Sequence, residues 1–461
     1  MFLKILIGII GLGVVVFIHE LGHFLAARAM GIDVEAFSIG WGRPLLKRKI
    51  GGVEYRLGMF PVGGYCQMRG EAEFREALTH DKTEIPRDKG TFYGTSPLRR
   101  IFVAFAGPAA NALFAVIVLA FVWGIGFEVT TLGNRIVLAS DLELPLGSQE
   151  GTPVSELYPA DEAGMKSGDK IVEIAGKTTA NYQDVQEAIA PNAEKELSII
   201  VEREGTRIPL LMVPKLDKAT GAGKIGVYFW TDPLVSALKP SSPAAIAGIQ
   251  VGDRIISANN IPIPYSVALM KVLASRPNTL NLLLERQGIE RSVELVLSYD
   301  DAGNTDIGIE FETLRFNTPR LGFFAALSKG AEESWKTFAL SIKSFSLLFR
   351  GVDLTKAVSG PVRITYMVGD VASEGFGQGF GAGISALASF LALLSVALCI
   401  MNLLPIPALD GGLILLFLFE AIARKPLRPK FIYGFQMTGT ALIFGLLLFS
   451  VFGDILFLIG R

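Results

Sequence analysis

Cysteine is nearly missing from this chain: its 461 residues include two, Cys66 and Cys399, and Cys399 lies inside an apolar run. A disulfide framework is therefore excluded, and thiol redox chemistry has little to work with. Histidine is almost as scarce, with three. An excess of either charge is missing too, the formal net charge being -1, so neither a nucleic-acid partner nor an acidic solvating tail is indicated. What the chain has in quantity is apolar residues, 50% of the total. At this length that points to a membrane protein and to more than one domain.

Four segments, about 4 to 28, 99 to 126, 384 to 421 and 433 to 458, are long and apolar enough to cross roughly 30 Å of hydrocarbon. The first runs into His19 with no small-residue cleavage site, so it reads as a retained span and not a signal peptide. The third is overlong and is expected to break near Pro405 and Pro407. Arg43, Lys47, Arg48, Lys49, Arg69, Arg75, Arg99 and Arg100 fall between the first two spans; Arg424, Lys425, Arg428 and Lys430 fall between the last two. The positive-inside rule makes both loops cytoplasmic. Both termini and the soluble-looking block from about 127 to 383 are then external.

That block holds a repeat. Ala-Gly-Met-Lys-Ser-Gly-Asp-Lys-Ile-Val at 163–172 recurs as Ala-Gly-Ile-Gln-Val-Gly-Asp-Arg-Ile-Ile at 247–256, each copy followed by a helical stretch and alternating strands. The pattern resembles the PDZ domain in its bacterial protease-associated form. Residues 222–229 are expected to be the peptide-facing strand of the second copy, able to take a peptide by strand addition. Residues 322–350 carry the spacing of an amphipathic helix.

Two of the three histidines stand in His19-Glu20-Leu21-Gly22-His23. Imidazoles at i and i+4 share one helix face and can grip a single Zn²⁺, while the intervening glutamate activates a water. Interhelical hydrogen bonding is the bland alternative, but three ionisable groups near membrane depth are costly unless they serve a function. A hydrolytic zinc site wants a third ligand and one open position. His80 sits among Asp81, Lys82 and Glu84 and reads as a solvated loop residue. Asp410 and Asp454 are the intramembrane candidates. Asp410 lies late in an inward-running span, as His19 and His23 do, whereas Asp454 closes an outward-running one, so depth favours Asp410.

With His19-Glu20-x-x-His23 in the first span, Asn402-x-x-Pro405-x-x-x-x-Asp410-Gly411 in the third and the tandem repeat between, the chain resembles the site-2 protease family over essentially its whole length. The resemblance implies that His19, His23 and Asp410 ligate zinc, that Glu20 is the general base, and that Asn402 and Pro405 sit beside the substrate strand. Gly107-Pro108-Ala109-Ala110-Asn111 looks like a further family motif, for close helix contact. Residues 33–68 are too polar and glycine-rich to span; the family has a re-entrant β hairpin here, with a Gly-x-Gly edge matched by Gly40-Trp41-Gly42. Such backbone is tolerated at depth only where protein or water satisfies it. An edge strand at the metal could pair with an unwound substrate, which makes Gly40 and Gly42 substrate-binding candidates.

The expected fold class is a polytopic α-helical membrane protein with four transmembrane helices, a re-entrant β hairpin and two external α+β PDZ domains. Its parts are 1–126 (first two spans and hairpin), 127–220 and 221–315 (the PDZ pair), 316–383 (an amphipathic region) and 384–461 (the last two spans). The implied activity is zinc-dependent intramembrane proteolysis of single-span proteins of the anti-sigma-factor type in envelope stress signalling, and of signal-peptide remnants. Lipid bilayer and peptide segments at the PDZ domains are the other partners, and a bacterial inner membrane is the location, with the active site toward the cytoplasm. A non-catalytic peptide receptor would have lost Glu20 or a ligand, and none is missing. A zinc transporter would spread polar residues along several spans, yet the second offers only Asn111 and the fourth little before Asp454.

Overall fold

The computed structural model describes residues 2–142, 158–217, 220–299, 305–347, 360–377 and 379–459. They fall into two units: one of Met1–Phe127, Thr318–Ile342 and Val358–Leu456, the other mainly Glu128–Asn317.

In the first unit, Lys4–Ala29, Pro97–Ile125, Phe380–Leu403 and Pro429–Asp454 are long and apolar enough to cross a membrane. These are the four expected segments. Ile10, Leu25, Phe105, Leu113, Phe121 and Leu442 are exposed on them, as suits helices whose outer faces meet hydrocarbon. The overlong third segment breaks where its prolines predict. Phe380–Leu403 ends, Pro405 and Pro407 carry the turn, and Asp410–Ala423 begins a separate helix. The Asp-Gly-Gly sequence lets that helix fold back: a Cβ on Gly411 would lie 2.3 Å from the Leu403 carbonyl oxygen, and one on Gly412 2.2 Å from that of Ile406.

Two ionisable residues differ from expectation. Arg100, counted above among loop cations, is 1% exposed. Its guanidinium donates to Glu420 Oε1 at 2.8 Å and lies 4.7 Å from the centre of the Phe417 ring. A charge at this depth persists because it is paired. Asp454 accepts from the backbone N–H groups of Gly360 and Val362, both at 3.0 Å. It thereby satisfies orphan donors at the start of Pro361–Gly377, a helix that the sequence leaves unmarked within 316–383. The expected amphipathic helix is Phe323–Leu347; residues 348–350 lie outside the described residues.

The polar stretch after the first helix is a hairpin of Val34–Ile50 and Val53–Met68. Its strands bend so that Phe37 to Ile39 are paired with Tyr55 to Leu57 on one side and with Gly64 to Cys66 on the other, while Lys47 to Ile50 pair with Val53 to Arg56. Phe24, Ala27, Phe37, Val53 and Val103 form one buried cluster. The hairpin is thus packed on both the first helix and the helix Pro97–Ile125.

In the second unit the repeated sequence gives repeated structure. One four-stranded sheet contains Lys170–Ile174 next to Leu197–Arg203; another contains Arg254–Ala258 next to Thr279–Arg286; the two share strand order. The aspartate of each Gly-Asp pair is buried under an arginine. Arg203 donates twice to Asp169, at 2.7 Å each, and once to the Gly164 carbonyl; Arg286 does the same to Asp253, at 2.6 and 2.7 Å, and to Gly248. The motif is therefore more than a tight turn. It is a bidentate clamp closing the sheet onto its loop. One expectation needs correction: Val227–Phe229 pairs with Ile136–Leu138, and Val235–Leu238 pairs with Ile309–Phe311. Residues 222–229 therefore complete the first copy and not the second, because each copy is closed by a strand C-terminal to its sheet. A boundary at 221 would cut that strand away.

Candidate metal centre

His19 and His23 sit one turn apart in the first helix, 7% and 9% exposed. Asp410 comes to them from the N-terminus of Asp410–Ala423. Its Oδ2 lies 3.2 Å from His19 Nε2 and 3.4 Å from His23 Nε2, and the two Nε2 atoms are 3.2 Å apart. One ligand atom from each residue falls within 4.8 Å of the others. Asp410 Oδ2 is buried and accepts no hydrogen bond of good geometry. A buried carboxylate oxygen left unpaired is costly. Two imidazole nitrogens and one carboxylate oxygen are the donor set of a hydrolytic zinc site, so the residues fit the ion.

The outer contacts favour the same state. His23 Nδ1 donates to the Val103 carbonyl at 2.8 Å, which leaves Nε2 with its lone pair directed at the cluster. His19 Nδ1 lies 3.3 Å from Asn111 Nδ2, while Asn111 Oδ1 is buried with no partner. Turning that amide over gives Oδ1 the Nδ1–H of His19 to accept and frees His19 Nε2 in the same way. Asn111 is itself held, its carbonyl accepting from Ser395 Oγ at 2.9 Å. The helix carrying Asn111 comes this close because of Gly107: a Cβ there would sit 2.3 Å from His23 Nε2.

Glu20 is half-buried and stands on the side of the helix facing the hairpin. A Cβ on Gly64 would lie 3.2 Å from its Cγ, and the Cys66 backbone amide points at its carboxylate. The hairpin segment against Glu20 is thus 64–66. Gly40 and Gly42, with φ of 82° and 92°, serve the bend at which Phe60 crosses the first strand. Asn402 and Pro405 stand at the break before Asp410, Pro405 exposed. Among the described residues, none of these four belongs to the cluster of ligand atoms. His80 is exposed, its Nδ1 3.1 Å from the Glu76 carbonyl. Val103 and Gly64 carry no sequence signal of their own, whereas Asn111 stands out in the sequence as the polar side chain in the middle of an apolar span, beyond Arg99 and Arg100 at its start.

The model of peptidase family M50 matches residues 7–446. The chain belongs to peptidase family M50, the site-2 protease family. A protein of Treponema pallidum whose name carries "zinc metalloprotease" is 37% identical over 457 residues, covering 99% of each chain. The regulator of sigma-E protease RseP of Escherichia coli is 28% identical, with 96% of this chain and 97% of that protein covered. The corresponding protein of Haemophilus influenzae is 28% identical, with 97% of both covered. A solved PDZ domain from an SdrC-like protein of Listeria monocytogenes aligns with 18% of this chain at 20% identity and a TM-score of 0.16, too slight a likeness to argue from. This M50 chain is a zinc metalloprotease and, with four apolar helices, an inner-membrane protein.

Proposed function

We propose that this M50 protein cleaves single-span membrane proteins inside or beside the bilayer, with His19, His23 and Asp410 holding zinc and Glu20 as general base. The observation that carries this is the convergence of three ligand atoms from two helices within 4.8 Å, one of them a buried carboxylate oxygen without a hydrogen bond. Zinc, when bound, supplies a Lewis acid that polarises the scissile carbonyl and acidifies a water. The chain supplies the rest. Val103 and Asn111 orient the two imidazoles. Glu20, outside the ligand set and beside them, takes the proton from the water and returns it to the leaving amine. The hairpin segment 64–66 brings a strand edge to Glu20, where an unwound substrate segment pairs by strand addition; the break at Asn402 and Pro405 lies on the approach to Asp410.

The hairpin is re-entrant in this reading. Leu45, Leu46, Ile50, Met59 and Phe60 are exposed on it, an apolar surface suited to lipid and not to water. The two repeats of the second unit are PDZ domains that filter or dock substrates. The first copy has a groove of about 310 Å³ between Tyr182–Ile189 and residues 222–229, able to take a peptide. Two relatives carry sigma-E regulation in their names; on the family resemblance the substrates in this reading are of the anti-sigma-factor type, with signal-peptide remnants as a second class. The basic loops support an orientation with the repeats and both termini in the periplasm and the metal toward the cytoplasm.

A tagged single-span substrate co-reconstituted with the enzyme tests this. The expected product has its new terminus within the span by mass spectrometry and is absent with Glu20→Gln. A terminus mapping outside the span would contradict intramembrane cleavage. Substrate bound but left whole by both enzymes would favour a receptor.

A further inference from the structure

We propose that the groove between the first helix and the hairpin holds an anionic phospholipid. The groove, of about 820 Å³, is walled by Phe17, Leu21 and Phe24, one i, i+4, i+7 face of the helix, and on the hairpin side by Leu46 and Leu57. None of His19, Glu20, His23 or Asp410 lines it. Phe37, Ile39 and Tyr55 also line it, and its cations are Lys47, Arg48 and Arg56. An apolar trough ending in cations matches an amphiphile with a negative head, acyl chain inward and phosphate at the rim.

The charge arrangement favours such a partner as the apolar lining does. Lys47 stands directly across from Arg56 in the strand pairing, a like-charge juxtaposition that costs stability and that Glu54, bonded to Arg56 alone, offsets only in part. Between residues 43 and 57 there are five cations, Arg43, Lys47, Arg48, Lys49 and Arg56, and one carboxylate, Glu54. That carboxylate is already committed, accepting from Arg56 Nε at 2.8 Å and lying across from Lys49. The neighbouring side chains Leu45, Leu46 and Ile50 are exposed, so the rim cations project from a surface that itself suits lipid. A lipid here would brace the hairpin against the helix that carries His19 and His23.

The inference rests on the bilayer placement of the hairpin proposed above, and the test separates the two. Full-length protein in non-ionic detergent is exposed to vesicles of phosphatidylglycerol and phosphatidylethanolamine with identical acyl chains in equal amounts, and native mass spectrometry reads what stays bound. The wild type retains phosphatidylglycerol about tenfold or more over phosphatidylethanolamine, and Lys47→Gln with Arg48→Gln removes the preference while zinc content is unchanged. Equal retention by the wild type, or a preference that survives the double substitution, overturns the proposal. In parallel, Leu46→Cys in vesicles is treated with a membrane-impermeant maleimide from both sides. A protected Cys with no lipid preference refutes the lipid site alone; a fully labelled Cys refutes the bilayer placement and the lipid site together.

Discussion

A methyl group built on Gly107 would lie 2.3 Å from Nε2 of His23 and 2.9 Å from Cε1 of His19. The residue is a glycine because the position a side chain would take is where the two imidazoles turn toward Asp410. Gly107→Ala should leave the helix intact, alanine being the better helix former, yet displace a metal ligand. We expect zinc affinity to fall on the order of 10–100-fold, as for other disturbances just outside a metal site, with unchanged helix content by circular dichroism. Full zinc occupancy in the variant would contradict the close approach.

Arg100 and Glu420 join the helix bearing Gly107 to the helix bearing Asp410, both nearly fully buried and 2.8 Å apart. Arg100→Met alone leaves the buried carboxylate only a longer, 3.5 Å contact with the half-exposed Arg87 and should destabilise toward the lower end of about 3–5 kcal/mol, whereas Arg100→Met with Glu420→Leu should recover most of it. Thermal unfolding of the two variants in detergent checks this. An Arg100→Met protein as stable as wild type would show the pair to be idle.

Asp454 caps the helix Pro361–Gly377 and lies apart from the metal cluster. Asp454→Ala should cost about 0.5–2 kcal/mol, the usual range for a lost cap, and speed amide exchange at the start of that helix, with zinc retained. Loss of zinc would place Asp454 in the ligand set after all.

Burial pushes the Asp253 carboxyl up, but two hydrogen bonds from Arg286 and one from the Gln250 N–H outweigh it and hold the group below the usual carboxylate range. A carboxyl depressed in the folded state stabilises fully above its unfolded value of about 3.9 and loses that contribution as pH falls through the folded value. Between about pH 5 and about pH 3 the second repeat should therefore lose stability in the wild type. Arg286→Met should start lower and fall less. Melting curves at both pH values decide it; equal slopes would deny the clamp.

The sequence carried the membrane spans, the break at Pro405 and Pro407, the hairpin and the repeat, because each is written in local periodicity or in residues with one backbone preference. It also brought His19, His23 and Asp410 to one depth, and the structure brings them together. What it could not carry was pairing between distant segments. Val227–Phe229 looks like any short strand and joins the first copy only because Ile136–Leu138 lies beside it. Arg100 reads as one more loop cation until Glu420 appears 320 residues later. Asp454 differs from Asp410 only in its neighbours, peptide N–H groups in one case and two imidazoles in the other.

The most direct test measures bound zinc and substrate cleavage together in Glu20→Gln and Asp410→Asn. The account predicts that Glu20→Gln keeps one zinc per chain and loses cleavage, while Asp410→Asn loses both. Zinc retained at full affinity in Asp410→Asn, or cleavage surviving in Glu20→Gln, would contradict the roles given to these two carboxylates.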